Sequence, residues 1–186
     1  MGNFYVNFSV KHGDPRRVAD ALKRAGRKAY VSPAVGGYVV AYEEESDWQN
    51  PEAIEQVGTL LSREADAPVL AVLNHDDDIL CYWLFADGQF VDSYNSDPAY
   101  FGEDEGDEAE TGGDVRLLCE TLADPSVAEK VDAILRGDFA FAVELHEELV
   151  RALGLPDCAV GFGYQYLHRG EVPDGLSSDQ LIHTID

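Results

Sequence analysis

Basic side chains are what this chain has least of. Thirteen lysines and arginines face thirty-six aspartates and glutamates, giving a formal net charge of −23 over 186 residues. A surface of that sign repels phosphate backbones and anionic lipid. Ordinary nucleic-acid binding and attachment to a membrane surface are therefore not expected, whereas a cation or a basic protein partner is. Solubility, or adaptation to high salt, accounts for the same acidity. Cysteine is scarce too. Cys81, Cys119 and Cys158 are odd in number and far apart, which fits neither a disulfide framework nor a paired zinc spacing. No apolar run nears the roughly 20 residues that span a bilayer. The opening GNFYVNF reads directly as a strand, without a basic region followed by an apolar stretch, so no secretory leader is expected and the cytoplasm is the expected compartment.

Catalytic signatures are also missing. The stretch around Gly161 and Gly163 lacks the third glycine of a dinucleotide fingerprint, and neither a P-loop nor a G-x-S-x-G elbow occurs. His146-Glu147-Glu148 begins like a zinc-protease helix, but the position of the second histidine holds Val150. His146 is then expected at the border of an amphipathic helical face, and His12, His168 and His183 are expected at the surface. Cys119 or Cys158 could pair with a histidine as nucleophile and base, yet three cysteines and five histidines supply such pairs by chance. No cofactor is expected.

What the chain does have is a long β-prone stretch over residues 68–97, PVLAVLNHDDDILCYWLFADGQFVDSYNSD. Residues 69–73 form a short apolar run. Residues 79–86 are apolar on both alternating sets, as in a strand buried on both faces, with Cys81 and Trp83 in the core. Asp87-Gly88 is a two-residue hairpin signal, because glycine accepts the positive φ that such turns need. Before this stretch, Phe4, Val6, Phe8 and Val10 alternate with Tyr5, Asn7 and Ser9, the pattern of a half-buried strand. Asp14-Pro15 and Asn50-Pro51 each place a capping residue before a proline at the first helical position. Strands over 28–32 and 38–43 lie between the two helices. The order β-α-β-β-α-β predicts a ferredoxin-like antiparallel sheet with two helices on one face, extended by the Asp87-Gly88 hairpin.

Composition then shifts. GEDEGDEAETGG, residues 102–113, holds nothing apolar larger than alanine, and such a segment cannot bury enough surface to offset its chain entropy. An acidic linker or loop there divides an α+β sheet part, residues 1–101, from a helical part, residues 114–186, packed as one globular unit. Helices are expected behind Asp114, Asp124-Pro125 and Asp138. One late strand is expected over 159–167, with Val160, Phe162, Tyr164 and Tyr166 on one side. Gly161 and Gly163 on the other side point to a close neighbour.

Asn74-His75-Asp76-Asp77-Asp78 is the most distinctive motif. An imidazole beside three carboxylates can hold a hard cation through oxygen ligands. However, consecutive residues point in different directions, and no EF-hand spacing is present. A hairpin turn with Asx-type hydrogen bonds explains the motif as well. Tyr94, Tyr100, Phe101 and Trp48 beside Asp92, Ser96 and Asp97 can line a groove, or cover the open end of a sheet. The candidate binding residues are therefore His75, Asp76, Asp77, Asp78, Tyr94, Asp97 and Tyr100, with the presence of a metal left open.

Over NHDDDILCYWLFADGQFVDSYNSDPAYF and VGFGYQYL, and from GNFYVNF onward, the chain resembles uncharacterised bacterial proteins of unknown function. That likeness brings no activity, cofactor or catalytic residue. The expected function is a non-catalytic binding or regulatory protein for a basic protein partner, of the kind that immunity proteins against cationic toxins represent. The alternatives are a small hydrolase or transferase with a carboxylate site near Asp76–Asp78, and an acidic protein adapted to high salt.

Overall fold

The computed structural model describes residues 2–100 and 111–184. Most of the acidic segment, residues 102–110, lies outside the described residues, as does Phe101. Strand β1 (Phe4–Lys11) is followed by helix α1 (Pro15–Arg24), whose Asp14 cap accepts the Arg17 N–H at 2.8 Å. Strands β2 (Ala29–Val31) and β3 (Tyr38–Glu43), a four-residue helix α2 (Glu44–Asp47) and the long helix α3 (Pro51–Ala65) come next. Strands β4 (Val69–His75), β5 (Ile79–Ala86) and β6 (Gln89–Asn95) follow as a meander. The remaining elements are α4 (Val115–Leu122), α5 (Ala128–Leu135), α6 (Ala142–Leu153), α7 (Tyr164–His168) and a two-residue strand β7 (Ile182–His183), with short 3₁₀ turns between them.

The seven strands of the described residues join one sheet in the order β6-β5-β4-β1-β3-β2-β7, each neighbour antiparallel to the next. Helices α1 and α3 cover one face, where Val18, Leu22, Ile54, Val57 and Leu61 meet Val6, Phe8, Val10, Ala71 and Phe85. The two-helix layer is thus as the sequence predicts. On the other face, α4, α5 and α6 press Leu118, Leu122, Val131, Leu135, Leu145 and Leu149 onto Leu70, Val72, Leu80, Tyr82 and Leu84. A smaller cluster joins Val40 and Tyr42 to Cys158, Ala159, Tyr164 and Leu167.

This second layer changes what the N-terminal pattern means. β1 is not half-buried: Tyr5 and Asn7 are fully covered and Ser9 nearly so. Asn7 is tolerated inside because its amide donates to the carbonyls of Ala159 at 2.6 Å and Phe162 at 2.9 Å, which offsets the cost of removing it from water. The expected doubly buried strand is β5, although Trp83 is only partly covered while Ile79 and Phe85 are fully buried.

The late strand over 159–167 is not formed. Residues 157–159 make a 3₁₀ turn and 164–168 the helix α7. Its alternation of aromatics with glycines mimics a strand. Gly161 sits at φ +78°, the left-handed region, and breaks any extended run. The third helix starts at Ala142 behind Phe141, without a side-chain cap from Asp138. The last strand of the sheet is β7, which pairs with β2 through Tyr30↔His183 and Val31↔Ile182.

Residues 111–113 lie along β6. The Asn95 N–H donates to Thr111 at 2.8 Å, and the Gly113 N–H donates to Ser93 at 2.8 Å. Arg136 clamps the same residues through Thr111 Oγ1 and the carbonyls of Gly112 and Gly113. Among the described residues no helix is long and apolar enough to cross a membrane.

Candidate functional site

The site forms where β3 leaves the sheet. The β1–β3 ladder is paired from Phe8↔Ala41 to Lys11↔Tyr38 and stops short of Val6. At Glu43 the chain turns into α2. The Glu43 carboxylate caps the helix, accepting the Ser46 N–H at 2.8 Å and the Ser46 hydroxyl at 2.6 Å. One turn later the Asp47 carboxylate accepts the Val6 N–H at 2.9 Å, where a β3 carbonyl would otherwise be needed. Its second oxygen accepts the Gln165 N–H at 2.8 Å, at the start of α7. Asp47 is therefore a strut between β1 and α7. Gly163 permits it, because a Cβ there would lie 2.0 Å from Asp47 Oδ1. The close neighbour expected at Gly163 is this carboxylate, whereas Gly161 has none within 4 Å. Burial pushes the Asp47 carboxyl up to about 6, against the backbone N–H groups that favour its ionised form.

Next to this strut lies a cleft of about 620 Å³. Phe4, Trp48 and Tyr166 supply its apolar walls, and Asp47, Gln165 and Arg169 its polar ones. Trp48, at the C-terminus of α2, is 71% exposed. The following residue, Gln49, has φ +61°, a left-handed conformation that turns its side chain back under the sheet. There it donates to the Asn74 carbonyl at 2.7 Å and meets His75 Nδ1 at 2.5 Å. His75 receives Phe4 edge-on at a centroid distance of 5.0 Å and Tyr100 at 5.9 Å. The Tyr100 hydroxyl donates to Asp78 at 3.1 Å. Trp48, Phe4, His75 and Tyr100 thus form a row across one end of the sheet, with Phe4 and Tyr100 each 42% exposed. Asp76, Asp78 and Asp97 are exposed along it.

The structure brings His75, Asp76, Asp77, Asp78 and Tyr100 together, but the three carboxylates do different work. The Gly2 N–H donates to Asp76 at 2.9 Å. Asp77 accepts both Asn3 (3.0 and 3.2 Å) and Asn74 (3.1 Å) side-chain amides, while its own N–H returns to Asn74 Oδ1 at 3.1 Å, the Asx-type bond of a turn. Its carbonyl accepts the Ala142 N–H at 2.6 Å. The turn therefore ties the first strand to α6. Asp77→Ala is expected to cost about 1.5–3 kcal/mol, the range for hydrogen bonds to a charged group. Faster amide exchange in residues 3–6 would accompany it. Equal stability in urea titrations would show that the turn is not a tie. Among the described residues no group of three His, Cys, Asp or Glu side chains is placed to hold a metal ion.

One candidate lies apart. Tyr94 is buried, stacks on Tyr82 at 5.6 Å and donates its hydroxyl to the Leu135 carbonyl at 2.8 Å. Asp97 accepts the Ala99 N–H at 3.1 Å within its own loop. His146 is fully buried rather than at a helix border: Nδ1 meets the Tyr5 hydroxyl at 2.7 Å. Nε2 has no hydrogen-bond partner among the described residues. Burial pushes all three cysteine thiols up, the reverse of what a nucleophilic thiolate requires.

Sequence reasoning named Trp48 as a groove residue but missed Asp47, Gln165 and Arg169. A four-residue helix has no periodicity to betray it, and the Gly163 signal did not say which residue would approach. Comparison with protein-family models, with curated proteins and with solved structures yields no match to this chain.

Proposed function

We propose that this protein is a non-catalytic binding module that takes a basic protein segment at the cleft and aromatic row. The observation that carries this is Trp48, 71% exposed at the mouth of the cleft, beside carboxylates that line the same end of the sheet. A large aromatic held in water by a fixed backbone loses little entropy when it is covered, and such residues dominate interface energies. An arginine or lysine of the partner would stack on the indole. The −23 net charge would draw it in. The order β4-β1-β3-β2, with α1 and α3 on one face, supports a ferredoxin-like unit. On this reading β5 and β6 widen the unit on one side and β7 on the other.

A raised carboxyl in a cleft is also how an acid catalyst presents itself, and Asp47 has that titration. Both its oxygens are engaged by backbone N–H groups, however, while Asp76 accepts the Gly2 N–H, Asp77 the Asn3 and Asn74 side-chain amides and Asp78 the Tyr100 hydroxyl, which supports binding over hydrolysis or group transfer.

Titrating a short arginine-rich peptide into the protein should change Trp48 fluorescence, and a glutamate-rich peptide should not. Trp48→Ala should leave stability within about 0.5 kcal/mol, as for exposed side chains generally. It should weaken the peptide at least about tenfold, as removal of a hot-spot aromatic does. An arginine peptide that binds wild type and Trp48→Ala alike would move the site elsewhere.

A further inference from the structure

The acidic total hides a strong asymmetry. Seven of the thirteen basic residues fall between Lys11 and Lys28, and thirty-four of the thirty-six acids come after Lys28. Helix α1 carries most of this positive charge. It buries Val18, Ala19, Ala21 and Leu22 against the sheet and leaves Arg16, Arg17, Lys23 and Arg24 outside. Arg24 pairs with Glu64, Arg27 with Glu45 and Lys28 with Glu44. Arg16, Arg17 and Lys23 have no ion pair among the described residues.

Their position matters as much as their charge. β1 begins at Phe4, in the cleft wall, and ends at Lys11, and α1 starts four residues later. Arg16 and Arg17 therefore stand at the opposite end of the sheet from Trp48. At roughly 3.3 Å per strand residue, the separation is more than about 20 Å. The chain presents free arginines at one end of the strand direction, and an exposed tryptophan among carboxylates at the other. Arg169 already lines the cleft, but no copy can bring its own Arg16 and Arg17 there.

We propose that the basic segment taken by the cleft is the N-terminal turn of α1 from a second copy of this chain. Arg16 and Arg17 stack on Trp48 and face Asp76 and Asp78. This rests on the reading that the cleft takes a basic segment. The contact is heterologous, tail to head, because two α1 surfaces meeting face to face would oppose like charges. A heterologous contact does not close at two copies, so association continues with concentration. Its salt dependence should have a maximum. At about 0.01 M ionic strength the Debye length is roughly 30 Å and the net charges of the two copies repel. Near 0.15 M it is about 8 Å, which leaves local pairs attractive, and higher salt screens those too.

Sedimentation of the full chain over a range of concentration and salt tests this. Wild type should show a mass that rises with concentration and peaks at intermediate salt. R16E/R17E and W48A should each stay monomeric while keeping the wild-type circular dichroism. Mixing the two variants decides the geometry: one supplies the cleft and the other the arginines. They should form a capped species of twice the monomer mass, with Trp48 fluorescence changed. A wild type that is monomeric throughout, or a mixture that stays monomeric, overturns the proposal. In that event the arginine-rich peptide separates the two ideas. If it still binds, the cleft takes a basic partner other than this chain, and if it does not, both readings fall.

Discussion

Replacing Phe85 with alanine is expected to lower the free energy of unfolding by about 3–5 kcal/mol, the range for emptying a fully buried aromatic position. The ring is wholly covered and lies directly beneath α3. Gly58 is the notch that receives it: a Cβ at Gly58 would come within 2.2 Å of Phe85 Cε2. Gly58→Ala should therefore destabilise by about 1–3 kcal/mol through overpacking. It does so even though alanine gains roughly 1 kcal/mol in helix propensity over glycine. Because the two residues share one contact, Gly58→Ala combined with Phe85→Leu should cost less than the separate losses added together, with a coupling of about 0.5–3 kcal/mol. Trp83, two residues away and only partly covered, should lose less than Phe85 on truncation. Urea titrations of Phe85→Ala, Phe85→Leu, Gly58→Ala, the double variant and Trp83→Ala measure this. Strictly additive losses, or a larger loss at Trp83, would mean that the ring does not sit in the notch.

Acid is expected to act on this protein through two buried groups of opposite effect. Burial holds the His146 imidazole down at about 3, against 6.5 when free. Tyr5 faces it with a hydroxyl that burial keeps neutral, so nothing there stabilises an imidazolium. The unfolded chain takes up this proton below pH 6.5 and the folded chain does not, so stability falls on acidification between 6.5 and 3. The slope is about 1.4 kcal/mol per pH unit, reaching about 4–5 kcal/mol in all. Asp47 works the other way. Its folded value of about 6 lies above the free value of 3.8, so the folded state binds the proton first. Stability is gained as pH falls from 6 to 3.8 and is lost as pH rises through that window, by about 3 kcal/mol. The two slopes offset each other between pH 6 and 4. The variants should separate them. Asp47→Asn should lose stability, relative to wild type, steadily across that window. His146→Gln should gain it over the same range. Differences taken against wild type at each pH remove the shared titration of the many surface acids. Parallel curves for wild type and His146→Gln would show that the imidazole titrates freely.

The fold was legible where local chemistry and tertiary demand agree. β4, β5 and β6 announce themselves by apolar runs and the Asp87-Gly88 turn, and α1 and α3 by Asp14-Pro15 and Asn50-Pro51, whose caps are present. The reading failed where burial is imposed from a distance. Asn7 reads as solvent-facing because its alternation is correct for a one-layered sheet, and nothing nearby tells that α7 and its approach will cover it. Residues 159–167 alternate like a strand, yet the backbone is bent by Gly161 and turned into α7 with Asp47 at its start. The site was half legible. The His75–Asp78 motif and Trp48 are conspicuous, but what joins them is the Gln49 side chain and the departure of β3, neither of which leaves a pattern. The charge asymmetry needed no structure, since it follows from counting bases along the chain, but its direction relative to the cleft did.

The way the sheet ends has a consequence for how the protein behaves when crowded. An open edge strand is a template for another backbone, and long flat ones seed fibrils. Here one edge is β7, two residues long. The other, β6, has its second half occupied by residues 111–113, which Arg136 pins in place. What is left of it, around Gln89, Phe90 and Val91, lies opposite the register shift at Leu84/Phe85, a twist that spoils a flat template. Two exposed apolar side chains thus sit on backbone that cannot extend the sheet by more than a few residues. Such edges would confine the proposed contact between copies to side chains, which salt and dilution reverse. Growth into cross-β fibres would first require the 111–113 segment to let go.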